Sequence, residues 1–276
     1  MPELPEVDLV ARTLDTLVTG KHIESAKLLR QRLIPDMTPS AFGRSLKDAV
    51  INGVTRRGKH ILIELDNGKT LIVHLRMSGR FSLLGSDDED RKFTHAVFYF
   101  DDGTRLAFDD QRHFGAMKII STADLAEAKE LKKLAPEPFS DEFTTEYLRD
   151  KLKRSKRTLK EFLLDQTKVT GLGNIYAAEA LFASGISPKI RTDRLSISKI
   201  NILHKAIVEV LAAQVEISMT SSIDPRNIDG HYYSSDRDKQ WIIYGREGEQ
   251  CKRCDAQIKR IQQAGRSTYY CPKCQK

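Results

Sequence analysis

The chain has 276 residues, a formal charge of +7 and 30% charged side chains. That length suits one large domain or two ordinary ones with separate cores. No window approaches the roughly 20 apolar residues of a membrane span, and the first residues lack a leader's apolar run, so a cytoplasmic protein without membrane attachment is expected. The positive balance suits a polyanionic partner, although net charge alone speaks only to solubility and non-specific binding.

The chain opens Met1-Pro2-Glu3-Leu4-Pro5-Glu6-Val7. Removal of Met1, usual when proline follows, leaves a secondary amine beside the Glu3 carboxylate. An α-amino group titrates near about 8, so part of it is unprotonated at neutral pH and able to attack an electrophilic carbon. From proline the adduct is an iminium. A frayed, inert terminus with Pro5 in a helical first turn is the alternative. From Pro5 onward, Val7, Val10, Ala11, Leu14, Leu17 and Val18 recur at helical spacing and Gly20 stops the run. A helix packed on a core and starting this early would anchor the residues just before it.

The period then changes to alternation. Ile61, Ile63 and Leu65, the turn Asp66-Asn67-Gly68, and Leu71, Val73 and Leu75 predict a hairpin; residues 96–100, Asp101-Asp102-Gly103, Leu106 and Phe108 predict another. Strands with no helix between them favour an antiparallel sandwich flanked by the first helix. Polar clusters mark the strand ends: Arg56-Arg57-Gly58-Lys59 and the run from His74 through Arg76, Met77, Ser78 and Gly79 to Arg80. Residues 123–135 have helical propensity, and Ala135-Pro136-Glu137-Pro138 reads as a linker.

The second half reads as helices over 141–153, 156–166, 174–184 and 198–218, the last with Ser198 as N-cap and Leu203, Ile207, Val210 and Leu211 as its buried stripe. The turn Thr170-Gly171-Leu172-Gly173-Asn174 allows backbone amides and a helix N-terminus to grip a phosphate, or is a plain interhelical turn. Seven cations within residues 149–160, commonly only a solvated face, read beside such a turn as a face that contacts phosphates. In the tail, residues 246–276 hold eight Lys or Arg against three acids, and all four cysteines of the chain. Cys251 and Cys254 form one C-x2-C pair and Cys271 and Cys274 another, sixteen residues apart. This is the spacing of a four-thiolate zinc site on a hairpin, structural because no coordination position stays open. Two disulfides are the weaker explanation in a reducing compartment.

These residues carry a resemblance. MPELPEV, RRGKHILIEL, HLRMSGRF, DQRHFG, LLDQTKVTGLGNIYAAEALFASGI, YGREGEQCKRC and GRSTYYCPKCQK, in this order along the whole chain, look like the bacterial formamidopyrimidine-DNA glycosylase (Fpg, MutM) family. The resemblance implies an α+β multidomain fold. Its parts would be an N-terminal antiparallel β-sandwich with an N-terminal helix (1–134), a helical helix-two-turn-helix domain (139–235) and a C-terminal zinc-finger β-hairpin (240–276), with DNA in the cleft between. It implies a bifunctional base-excision repair enzyme that excises oxidised purines such as 8-oxoguanine and formamidopyrimidines, then cuts the strand by β- and δ-elimination. The partner would be double-stranded DNA with an oxidised base or abasic site, the protein a monomer in the bacterial cytoplasm at the nucleoid, and the cofactor one structural Zn2+ on Cys251, Cys254, Cys271 and Cys274. By the same resemblance Pro2 is the nucleophile on the sugar C1′, Glu3 the acid/base that opens the deoxyribose ring, and Glu6 a second acid near the site. Lys59 supports catalysis and contacts phosphates. Met77, Arg112 and Phe114 fill the gap left by the extruded nucleotide. His74, Asn174 and Arg266 contact DNA.

One segment departs from the family. Its usual paired glycines and the loop over the everted base are replaced at 217–233, and the approach to Tyr244-Gly245-Arg246 is altered at 239–243. That leaves the chemistry standing but opens a shifted lesion preference, such as oxidised pyrimidines. A non-catalytic damaged-DNA-binding protein is the reading from another class.

Overall fold

The computed structural model describes residues 1–220, 223–230 and 241–276, and the chain divides into two compact units. The first comprises Met1–Lys132 and Ser218–Tyr233. Helix α1 (Leu4–Val18) has Pro5, whose fixed φ suits a first turn, as its second residue, and ends before Gly20 at φ 83°. Its apolar stripe, including Val7, Val10, Leu14 and Val18, is buried against the sheet. Side chains of this kind contribute roughly 1.5–3 kcal/mol each when fully buried, which holds the chain's first helix to the unit.

Strand β1 (His22–Leu28) is followed by helix α2 (Pro39–Leu46), which Thr38 caps by accepting the Ala41 N–H. Then come β2 (Ala49–Arg57), β3 (His60–Leu65), β4 (Lys69–His74), β5 (Gly79–Leu84), β6 (Thr94–Phe100), β7 (Arg105–Asp110) and β8 (Ala116–Ser121). Their order is β5-β7-β6-β1-β2-β3-β4-β8, every described pairing antiparallel. The pairing of β1 with β2 covers only His22↔Val50 and Ile23↔Ala49. The ribbon therefore folds there into a sandwich, its two halves sharing one core that includes Leu14, Phe42, Phe81, Phe98, Ile61 and Val73. Both hairpins predicted from alternation are present. The 123–135 stretch forms only a 3-10 turn (Thr122–Glu127) and further turns, because only Ala128, Leu131 and Ala135 in it are buried, too few for the apolar stripe that stabilises a helix.

Residues 223–230 lie along the edge of β5. Phe81 and Ile228 exchange both backbone hydrogen bonds, at 3.1 and 2.8 Å, and the Leu83 N–H donates to Pro225 at 2.8 Å. Gly230, at φ 71°, packs so closely on Glu6 that a Cβ would stand 2.6 Å from the Glu6 carbonyl oxygen. The remainder of the departing segment, residues 221–222 and 231–240, lies outside the described residues.

The second unit comprises Lys133–Ile217 and Ser234–Lys276. It contains helices α3 (Thr145–Lys153), α4 (Leu159–Leu163), α5 (Asn174–Ala183) and α6 (Ile197–Met219), then strands β9 (Lys259–Gln263) and β10 (Arg266–Tyr270) as an antiparallel hairpin. Thr158 and Glu161 close a reciprocal capping box on α4. The cap of α6 is Ser196, which accepts the Lys199 N–H at 3.3 Å; Ser198, expected in that role, lies inside the helix. Among the described residues no helix is long and apolar enough to cross a membrane.

The hairpin is fastened along α5. The buried Glu179 carboxylate accepts the N–H groups of Ile242, Ile243 and Tyr244 at 3.1, 3.0 and 2.9 Å. Arg253 lies 4.3 Å over the Phe182 ring and donates to the Phe182 carbonyl, while Gln275 accepts from Cys271 N–H and donates to the Ile186 carbonyl. Replacing Glu179 with alanine strands three backbone donors. The expected loss is about 3 kcal/mol, read as a lower urea midpoint at unchanged slope by the emission of Trp241, the sole tryptophan, which packs edge-on to Tyr176 in this unit.

Candidate active site

The chain's first residues are ordered against α1. Pro2 is buried, and Glu3 and Glu6 are each only 2% exposed. Glu3 is the N-cap of α1. Its side chain accepts the Glu6 N–H while Glu6 Oε2 accepts the Glu3 N–H at 2.6 Å, a reciprocal capping box. Carboxylates at this end are also favoured by the helix dipole. The two acids thus fix the backbone immediately after Pro2, and the frayed-terminus alternative does not describe the structure.

Gly58 and Lys59 form the two-residue turn between β2 and β3, Gly58 at φ 58°. The turn is set beside the start of α1 by Arg56, which pairs with Asp8 at 3.0 Å, and by the Val54 N–H, which donates to Asp15 at 2.7 Å. Lys59 is 4% exposed. The two polar clusters distinguished in the sequence meet here. The His60 and His74 rings contact edge to face at 4.7 Å. Burial pushes the His60 imidazole down from 6.5 to about 4. His74 is held well below 6.5 by burial, then by the neighbouring His60, Arg76 and Lys59. His74 Nδ1 accepts the Arg76 N–H at 3.0 Å, so the neutral ring carries its proton on Nε2 as a donor.

Met77, Arg112 and Phe114 lie on two loops, 75–79 and 110–115. Met77 is 36% and Phe114 48% exposed, unusual for large apolar side chains, and Arg112 lies 5.2 Å over the Phe114 ring. Exposed apolar groups flanking a cation suit insertion into a partner.

In the second unit, Asn174 begins α5 with Gly173 as N-cap, and its Nδ2 donates to the Ser267 carbonyl of β10 at 3.0 Å. Arg266 stands exposed where β10 begins, after the Ala264-Gly265 turn. The start of α5 and the start of β10 are therefore bonded to each other. The four cysteine Sγ atoms all lie within 4.8 Å of one another, with Cys254 and Cys271 3.4 Å apart and Cys251 and Cys274 3.9 Å apart. A tetrahedral zinc with Zn–S bonds of about 2.3 Å requires sulfur–sulfur edges of about 3.8 Å. These separations fit it and far exceed a disulfide bond.

Family models match in order along the chain. One described as formamidopyrimidine-DNA glycosylase N-terminal domain covers residues 1–117, one described as formamidopyrimidine-DNA glycosylase H2TH domain covers 134–225, and one described as zinc finger found in FPG and IleRS covers 248–276. The formamidopyrimidine-DNA glycosylase of Bacillus licheniformis is 40% identical over 281 residues, all of both chains. The chain belongs to the formamidopyrimidine-DNA glycosylase family. Among solved structures, Lactococcus lactis Fpg non-covalently bound to DNA containing an AP site superposes with a TM-score of 0.89 at 34% identity over 99% of both chains. The same organism's wild-type Fpg in complex with DNA containing an oxidised pyrimidine gives 0.90 at 34% identity over all of both.

With the family shown, the tetrathiolate is its zinc-finger site and holds a structural Zn2+. Sequence reading missed Asp110 and Glu179. Each acts by collecting backbone N–H groups, which leave no residue-type signal; a buried acid flanking an irregular segment is the only trace.

Two outcomes follow. His60 titrates near 6.5 unfolded but about 4 folded, so its contribution is complete above pH 6.5 and is lost as pH falls toward 4. The melting temperature should drop across that window, and His60→Phe should flatten the drop; an unchanged slope would place the titration elsewhere. The protein should carry one zinc per chain on its single cysteine cluster, and strong chelation should raise amide exchange in residues 248–276, which lack a large core of their own.

Proposed function

We propose that this chain is a bifunctional DNA glycosylase and abasic-site lyase of base excision repair, using the Pro2 amine on oxidised purines in double-stranded DNA. The observation that carries the reading is the ordered N-terminal segment: Pro2, whose nitrogen becomes an amine once Met1 is removed, is buried next to Glu3, whose backbone the Glu3–Glu6 box fixes. A chain that bound DNA only through its backbone would gain nothing from that arrangement.

With Met1 removed, the neutral Pro2 nitrogen attacks C1′ and the base leaves with the glycosidic electron pair, taking up a proton. Glu3, ionised, stabilises positive charge at the sugar; protonated, it serves the ring oxygen as the deoxyribose opens. The resulting iminium acidifies the C2′ hydrogen, so loss of that proton expels the 3′ phosphate. A second elimination expels the 5′ phosphate. Lys59, beside α1, holds a phosphate near the lesion. His74 offers its Nε2–H to the backbone.

The sugar reaches Pro2 only if the nucleotide leaves the helix, at a cost of a few kcal/mol. Met77 and Phe114 offset it by filling the gap, and Arg112 hydrogen-bonds the widowed base. Asn174 and Arg266 contact phosphates from the second unit. On this reading the protein works as a monomer in the bacterial cytoplasm, at the nucleoid; that the curated relatives are bacterial supports the compartment. The segment 217–243 departs from the family run, which favours as a second reading the same chemistry with a lesion preference shifted toward oxidised pyrimidines; a panel of single-lesion duplexes measures this directly.

Borohydride should trap the protein covalently on duplex DNA containing 8-oxoguanine. Pro2→Gly should lower the trapped yield by roughly 100-fold, because the nucleophile is no longer presented at one geometry. Absence of a trapped species on every lesion tested would refute the amine mechanism.

A further inference from the structure

Loops 75–79 and 110–115 carry Met77 on one and Arg112 and Phe114 on the other, and a single buried carboxylate joins them. Asp110, the last residue of β7, is fully buried, directly opposite Gly79 in the β5–β7 register. Its Oδ1 accepts the Ser78 hydroxyl and, at 3.2 Å, the Arg112 N–H. Its Oδ2 accepts the Gly115 N–H at 2.6 Å. Ser78 Oγ also accepts the Arg112 N–H at 2.9 Å, and the Asp110 carbonyl accepts the His113 N–H at 3.3 Å.

Both loops rest on one ring. A Cβ on Gly79 or on Gly115 would stand 2.9 Å from Phe108, which leaves no room for a side chain at either position. Both loops also contain a residue in a conformation that L side chains rarely adopt, Arg76 at φ 54° and His113 at φ 59°. Such residues persist where the surroundings over-determine them, and they gather at functional loops. The donors to Asp110 are Ser78 and backbone N–H groups, so the network governs where the loops stand rather than what their tips touch.

We infer that Asp110 is a positioning residue that, through Ser78 and the N–H groups of Arg112 and Gly115, sets Met77, Arg112 and Phe114 as one wedge. The inference rests on the wedge reading of those three side chains given above. A carboxylate is the only common side chain that offers acceptors alone in this shape. Asparagine has the same outline but turns an NH2 toward one of two backbone N–H groups, neither of which can become an acceptor.

The test uses Asp110→Asn and Ser78→Ala in the full zinc-loaded chain, each checked for parent-like melting. Two substrates separate the roles: a duplex with 8-oxoguanine opposite cytosine, and a single-stranded oligonucleotide with a preformed abasic site. A wedge matters only where a nucleotide must leave a stacked duplex. Both variants should lose about 100-fold in single-turnover excision from the duplex, as misplacement at a distance from the chemistry does. They should also discriminate less between cytosine and adenine opposite the lesion, and should cleave the single strand at the parent's rate. The double variant should lose no more than the worse single one, the mark of one shared network. Equal losses on both substrates, or no loss on the duplex, would overturn the positioning role. Failure of the amine mechanism would instead appear in the parent, as absence of trapping on the single strand.

Discussion

The amine role proposed for Pro2 requires that the chain's first residues lose their freedom, and the bond pair between Glu3 and Glu6 removes it. Terminal residues ordinarily sample many conformations, at about 1–2 kcal/mol of entropy per residue fixed. The box fixes the two residues after Pro2 with the charge sign that a helix N-terminus favours. That works only because α1 is itself immobile, its stripe buried in the sandwich core and its second turn tied to β2 through Asp8 and Arg56. The rest of the first unit follows from this. The β2–β3 turn beside α1 carries Lys59, and the neighbouring β3–β4 pair brings His60 against His74.

The second unit solves a different problem. Its hairpin, with only five residues in each strand, has little core of its own, and the zinc supplies the cohesion that burial cannot. Metal alone would leave the hairpin without a fixed direction. Glu179, Arg253 and Gln275 provide that by fastening it along α5 and the residues just beyond it. The bond from Asn174 to Ser267 then means that the turn before α5 and the strand bearing Arg266 move together. Phosphate contacts fix register more than they read sequence, so if Asn174 and Arg266 hold phosphates as proposed, their mutual rigidity counts for more than the strength of either one.

Much of this was legible in the sequence, for identifiable reasons. The stripe from Val7 to Val18, both hairpin turns and the cysteine spacing are local patterns, and each has a local cause in periodicity, turn chemistry or ligand geometry. The peptide quoted as DQRHFG drew notice for Arg112 and Phe114, whereas Asp110 at its head reads like any turn-forming acid. One of its partners, Ser78, comes from a loop some 30 residues away and appears only once β5 and β7 pair. The misreading of 123–135 as helix came from trusting propensity where the buried side chains, Ala128, Leu131 and Ala135, are too few to hold one. The choice of Ser198 over Ser196 as the cap of α6 shows that two serines flanking one isoleucine cannot be ranked until the backbone declares which lies outside the helix.

Asp110 and Glu179 share a form with the terminal box. In each case buried carboxylates accept backbone N–H groups from a stretch with no strand or helix partner for them: the entry to α1, the loop after β7, the approach to the zinc hairpin. Regular structure satisfies backbone donors with backbone acceptors, but functional segments here are irregular and must find acceptors elsewhere. A carboxylate is the strongest acceptor available, and it brings no donor of its own that would need a partner. Burying its charge is unfavourable unless several donors converge, and that condition makes the arrangement rigid, since loss of one donor geometry weakens the case for all. On the proposed mechanism these acids therefore divide into Glu3, with chemistry to perform at the sugar, and Asp110 and Glu179, which hold irregular segments still, while Glu6, which fixes the backbone next to Pro2, stands between the two.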